Sequence, residues 1–413
     1  MTKTEIIEAA FKVWGREFYL NTSLSRLSQE LKVSKPALYR HFKNKQALLD
    51  AMTQHFFDNF AAHIRASVEK NQCGDDQEKN AFVLIRSVAE YYALNVNVFI
   101  FSLTRVYDRE TGKNAAKEMT VRGIDLHVLN HLWKSGGVSR IPVIRMIFAT
   151  ITFFMAVFHK QHKSHTKQPP QEAVAARIDT IIEIIKRGYG YSVREVDALD
   201  YKGLEKRLTG TVKNIDDDPL LKAVALAVAE AGPWDASMEQ VARRLGLSKS
   251  SLYGHFKNKQ DMLRRFFVSE FVKIIEFARQ GMERSAIPLE RFYLCVFAII
   301  VYLRSRPEIL TALDWIRTRK INKGFIASSK NSHCKHDEAN DNLPPEFLKL
   351  FEGIEFKPLR SGESADSLPM PQWVLFIIVG ILMRQIGNEK IRNEDSRVLF
   401  RFLTLGIRGF KKQ

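Results

Sequence analysis

The thirteen residues Ser34–Gln46, S-K-P-A-L-Y-R-H-F-K-N-K-Q, recur as Ser248–Gln260, S-K-S-S-L-Y-G-H-F-K-N-K-Q, with ten positions identical. In a chain of 413 residues this places one copy near the start of each half. Such a repeat marks a duplicated unit and restricts the chain to architectures built from two related halves.

The residues around each copy predict the same run of short helices. In the first, Thr2 with Glu5 makes a capping box for a helix carrying Ile6, Ile7, Ala10, Phe11 and Trp14 on one face. Ser23 caps a second helix through Leu24, Leu27 and Leu31, and Lys32-Val33 forms a tight turn. Ser34 caps a third helix, where Pro36 falls in the first turn and costs no hydrogen bond. Asn44 caps a fourth. In the second copy the same parts are Asp218 before Pro219, Ser237 with Gln240, Gly246 in the turn at an expected positive φ, then Ser248 and Asn258. Two short helices joined by a tight turn, the second exposed and polar, form a helix-turn-helix. Leu38 and Phe42 face inward, which leaves Lys35, Ala37, Tyr39, Arg40 and His41 wholly or partly outward, on a helix that suits a major groove.

Charge agrees with a polyanionic partner. The net charge is +17 and the pI about 9.7, so nucleic acid is the first candidate and an anionic membrane surface the second. Met1–Gln46 holds nine Lys or Arg against four acidic residues, and Pro219–Gln260 six against three. Three cysteines, Cys73, Cys295 and Cys334, imply no disulfide framework. The first residues lack an apolar signal core, and the apolar runs Met146–Phe158 and Val374–Met383 are shorter than the roughly 18 to 20 residues of a membrane span. A cytoplasmic protein with no membrane partner is expected.

With these motifs in hand, both segments resemble the DNA-binding domain of the TetR family of bacterial transcriptional regulators. The shared pattern S-K-x-x-L-Y-x-H-F-x-N-K-x is close to that family's signature and covers about 45 residues of each half. The resemblance implies an all-α protein: tandem units, each with an N-terminal three-helix DNA-binding domain and a C-terminal helical domain for ligand and dimerisation. It implies that Ser34, Lys35, Pro36, Ala37, Tyr39, Arg40, His41 and Lys45 face DNA. Of these, Tyr39, His41 and Lys45 would sit on phosphates, and Lys35, Pro36, Ala37 and Arg40 near base edges. The matching set is Ser248, Lys249, Ser250, Ser251, Tyr253, Gly254, His255 and Lys259. Family members usually hold one such unit and dimerise; here two are joined.

The expected organisation is therefore a DNA-binding domain at 1–46, a helical domain at 47–192, a linker at 193–217, a second DNA-binding domain at 218–264 and a second helical domain at 265–413. Residues 327–371, rich in Ser, Asn, Asp, Pro and Gly, read as a mobile loop with a short helix near Leu343–Phe356. The last two helices of each half, 141–159 with 173–187 and 371–386 with 396–410, would meet inside one chain, with Phe148–Phe158 facing Trp373–Met383. The expected partners are an operator duplex and a small-molecule effector whose pocket residues stay unassigned. The expected operator is not a true palindrome, because Arg40 and Gly254 cannot read the same base. His159, His162 and His165 stand at helical spacing, and His333, Cys334, His336 and Asp337 cluster nearby in sequence. Neither set has the partners of a tetrahedral site, so no metal or cofactor is expected. No phosphate loop or Ser/His/Asp set supports an enzyme. The alternative is a ligand-binding or protein-interaction module in which one or both helix-turn-helix units no longer bind DNA, an idea that Gly254 sustains because glycine weakens a helix.

Overall fold

The computed structural model describes residues 2–16, 23–71, 74–103, 115–132, 143–162, 168–209, 218–313, 344–357, 368–383 and 393–411. Among them the chain is all-α. The first unit opens with α1 (Lys3–Arg16), α2 (Leu24–Glu30), α3 (Lys35–His41) and the long α4 (Lys45–Asn71). Each start is fixed by a side chain that takes up a backbone N–H lacking a helical partner. Thr2 and Glu5 exchange backbone-to-side-chain bonds at 2.7 and 3.2 Å. Ser23 accepts from the Arg26 N–H, Ser34 from that of Ala37, and Asn44 from that of Ala47.

After a helical stretch of α5 (Gln77–Leu94), α6 (Val96–Phe101), α7 (Ala115–Val121) and a 3-10 turn at Leu126–Leu132, the first half closes with α8 (Val143–His162) and α9 (Gln171–Arg187). α6 lies against α1, with Phe101 edge-on to Phe11 at 5.0 Å, so the helix-turn-helix is joined to the helical domain by packing as well as by α4. Phe56, Phe60, Tyr91, Tyr92 and Phe99 form a buried ring cluster. His159 belongs to it and donates from Nε2 to the Tyr92 carbonyl at 2.8 Å. It is a core side chain. His162 lies beside the Phe158 carbonyl, while His165 and the 333–337 cluster fall outside the described residues.

The second unit repeats the plan as α12 (Pro219–Asp235), α13 (Met238–Leu245), α14 (Lys249–His255) and the long α15 (Lys259–Met282). α12 breaks at Gly232, whose φ of 77° and ψ of 159° are not helical. The turn before α14 is left-handed at Gly246 (φ 65°), and the matching turn before α3 is left-handed at Lys32 (φ 52°). α16 (Pro288–Ser305), α17 (Pro345–Lys349), α18 (Met370–Met383) and α19 (Asn393–Leu405) follow, and a 3-10 turn spans Gly406–Phe410. The short helix expected near 343–356 is α17. It and the turn after it bury Phe347, Leu350, Phe351 and Ile354, so this part of the expected loop is packed. Residues 327–343 and 358–367 lie outside the described residues.

The two halves meet through their last helices. α8, long and apolar enough by length and composition to cross a membrane, packs against α5, α9 and α18. Trp373 donates from Nε1 to Thr150 Oγ1 at 3.2 Å, and Phe153 packs on Phe376 at 5.3 Å. Beyond α9 the backbones touch. A Cβ on Gly188 (φ 56°) would fall on the Leu403 carbonyl, and one on Gly406 (φ 61°) would fall on the Ile185 carbonyl. Gly188 stands three residues after Ile185, as Gly406 does after Leu403, so the contact is reciprocal, as at a two-fold axis. The Tyr189 N–H donates to Leu403 O, and the Gly190 N–H to Thr404 O.

The stretch expected as a polar linker contains two helices, α10 (Val193–Asp197) and α11 (Tyr201–Thr209). α11 lies on α16. Its Glu205 is buried and accepts from Arg397 Nε and Nη2, the Tyr293 hydroxyl and Asn393 Nδ2. Arg401 bonds the Gly409 carbonyl and the Asp197 carboxylate. The mixed charges of this stretch are thus in part internal partners. Residues 210–217 lie outside the described residues.

Candidate nucleic-acid interface

The surface of α3 follows from its one buried side chain. Leu38 is wholly enclosed and Phe42 closes the helix at its C-cap. With the helix anchored on that side, Lys35, Pro36, Tyr39, Arg40 and His41 are exposed and Ala37 is half-buried. α14 is held in the same way by Leu252 and Phe256. Its Lys249, Ser250, Ser251, Tyr253, Gly254 and His255 are exposed. Tyr39 and Tyr253 are each 48% exposed, so the shared tyrosine stands outward in both units. Ser34 and Ser248 do not project freely; each accepts a backbone N–H and sets the start of its helix.

Lys45 and Lys259 occupy the first turn of α4 and α15 and are half-buried. The Lys45 ammonium lies 6.0 Å from the Trp14 ring. Burial lowers the pKa of Lys45, and it lowers that of Lys259 despite the nearby Asp235 carboxylate. Stems packed on protein and cationic tips beside a helix start suit a phosphate oxygen, because the N–H groups there add their own partial positive charge.

The structure therefore brings the sequence-derived residues of each unit onto one short helix and the start of the next. It also places cations beside them that the sequence-derived set omits. Lys43 and Lys257 are exposed between the third and fourth helix of each unit. Arg264 and Arg265 stand on the second turn of α15, where the first unit has Asp50 and Ala51. The signal for them was present in the repeat, as a charge difference just past the identical residues. Among the described residues no group of three or more His, Cys, Asp or Glu side chains could hold a metal ion. In the second helical domain a cleft of about 620 Å³ is lined by Val272, Ile275, Met282, Arg279 and Arg291 among others.

The family model for bacterial regulatory proteins of the tetR family matches residues 6–52 and again residues 221–266. An uncharacterized HTH-type transcriptional regulator, YuxN of Bacillus subtilis (strain 168), is 30% identical over 87 residues. That match covers 21% of this chain and 30% of the relative, so the chain spans about a third of the length of the protein it resembles. Each matched stretch coincides with a capped helix-turn-helix, so the chain carries two DNA-binding domains of the type found in the tetR family of bacterial regulatory proteins, in tandem.

Proposed function

We propose that this chain is a sequence-specific transcriptional regulator that works as a single-chain pseudo-dimer. α3 and α14 enter successive major grooves of one duplex, roughly 34 to 36 Å apart. The operator has two unlike half-sites, because Arg40 and Gly254 cannot make the same base contact. Occupying it blocks transcription. A small molecule held in a helical domain that prefers a different spacing of the two units lowers DNA affinity by the coupling free energy that DNA exerts on its binding. Joining the units makes their pairing independent of chain concentration.

What chiefly supports this is the reciprocal fit of Gly188 and Gly406 at the meeting of the halves. A contact of that form normally joins two copies of one surface, and here both copies belong to one polypeptide. The test is selection of duplexes from a random pool, followed by the mass of the complex in sedimentation. One chain on a duplex with two protected zones about one helical turn apart is expected. Two chains per duplex on a perfect palindrome would replace the single-chain reading. An absence of any enriched sequence at moderate salt would leave the ligand-binding alternative in first place.

A further inference from the structure

We infer that the two units divide the work on DNA: the first reads bases, and the second grips the backbone with little base preference. This rests on the DNA-binding reading above and goes beyond it. The two recognition helices share their buried anchors, caps and tyrosines, so the differences within these helices lie at positions that are not part of their seating.

Three positions differ on the recognition helices. Arg40 of α3 corresponds to Gly254 of α14, and Pro36-Ala37 to Ser250-Ser251. Arginine gives the commonest specific contact, a two-pronged bond to guanine, and glycine gives none. Nothing in the fold calls for the glycine. A Cβ at 254 would meet no atom within 4 Å, and its φ is not among the positive ones. The two serines do not replace the lost reader. The hydroxyl of Ser248 lies 2.8 Å from those of both Ser250 and Ser251 while it also caps the helix. A hydroxyl can serve as donor or acceptor, so even when freed it suits most base edges.

The charge lost from the groove-facing helix reappears beside it. The second turn of α15 carries Arg264 and Arg265, both well exposed, where the first unit has Asp50 and Ala51. The Arg265 guanidinium lies over the ring of Phe256, the C-cap of α14, at 6.0 Å. It is thus fixed at the end of the recognition helix. Both arginines share the single carboxylate of Asp261, at 3.0 and 3.2 Å, so a net positive charge remains for a phosphate. Cations beside the groove add affinity for any sequence, whereas direct readout of a base needs a contact to its edge.

The experiment uses the full chain and a duplex it selects. Every base pair of both half-sites is changed in turn, and Arg40→Ala identifies the half bound by the first unit. The expected result is one demanding half, where loss of the guanine read by Arg40 weakens binding roughly 5- to 150-fold. Changes in the other half fall below about 5-fold, under the usual effect of one mismatch. Replacing both Arg264→Gln and Arg265→Gln should weaken all duplexes alike and reduce the slope of log K against log salt by about 1 to 2. Gly254→Arg, whose side chain enters open space, should add a guanine preference to the tolerant half, a gain that a folding defect cannot mimic. Two equally demanding half-sites, or an unchanged salt slope in the double variant, would overturn the division of work. Failure of the unaltered chain to bind any duplex would overturn the DNA-binding reading, and this inference with it.

Discussion

Glu205 ties the segment between the units to the second half, and Glu205→Ala isolates that tie. The carboxylate is 5% exposed. It accepts from Arg397 Nε at 2.7 Å and Nη2 at 2.8 Å, from the Tyr293 hydroxyl at 2.6 Å and from Asn393 Nδ2 at 3.1 Å. Truncation removes all four and leaves an enclosed tyrosine hydroxyl and a largely covered guanidinium without that partner. The cost of leaving one member of such a pair buried is about 3 to 5 kcal/mol, out of a total stability of typically 5 to 15 kcal/mol. Glu205→Gln keeps an acceptor but loses the charge-assisted bonds, and should cost about 1.5 to 3 kcal/mol. Urea titration followed by circular dichroism measures both. A double-mutant cycle with Arg397→Ala should show coupling above about 1 kcal/mol. Acid adds a separate readout. Burial alone would raise the Glu205 pKa, but the Arg397 fork and the Tyr293 hydroxyl outweigh it and hold the carboxyl below the usual carboxylate range. A depressed folded-state pKa adds stability that is fully present above the unfolded value of about 4.3 and is lost as pH falls through the folded value. Glu205→Gln should therefore lose less stability than the unaltered chain below about pH 4.3. A loss under 1 kcal/mol for Glu205→Ala, or additive effects in the cycle, would refute the clasp.

The remaining predictions are simpler. Gly188→Ala and Gly406→Ala should destabilise the chain to similar extents, each by at least about 1 to 3 kcal/mol, the cost of a strained backbone conformation. A thermal melt checks this, and a tolerated alanine at either position would count against the reciprocal contact. Lys32→Gly should stabilise the first helix-turn-helix by up to about 1 kcal/mol, because lysine holds a left-handed conformation there, whereas Gly246→Ala should destabilise the second by about 1 to 2 kcal/mol. Denaturant midpoints of the two variants should move in opposite directions. Lys45→Ala and Lys259→Ala should each weaken binding to every duplex and lower the salt slope by about 0.9, without changing base preference.

The helix-turn-helix units were legible because their determinants are local. Ser23, Ser34, Asn44 and their counterparts each bond a backbone N–H three residues on, so a short window of sequence contains both partners. The outward face of α3 could be read from a single apolar residue, Leu38, and the cap Phe42. The stretch after α9 was not legible for the opposite reason. Glu205 meets Tyr293 88 residues later and Arg397 192 residues later, and Asp197 meets Arg401 204 residues later. A mixed run of Lys, Arg, Asp and Glu has the same composition whether it is solvated or clasped. Gly188 and Gly406 could be read as helix stops, but not as the two sides of one backbone contact.

Joining the units changes what a substitution on the DNA-facing surface can do. In a symmetric pair of identical chains, an altered recognition helix appears in both half-sites at once, so a loss of base reading is paid for twice. Under the proposed single-chain reading, the change at Gly254 would touch one half-site and leave Arg40 intact. Affinity lost there can be restored by cations such as Arg264 and Arg265 that need not match any base. The pattern of difference fits this freedom. The anchors Leu38 and Leu252, the caps Ser34 and Ser248 and the exposed tyrosines are the same in both units, because each helix still has to form and seat. Of the four positions expected near base edges, Lys35 is matched by Lys249 and the other three differ.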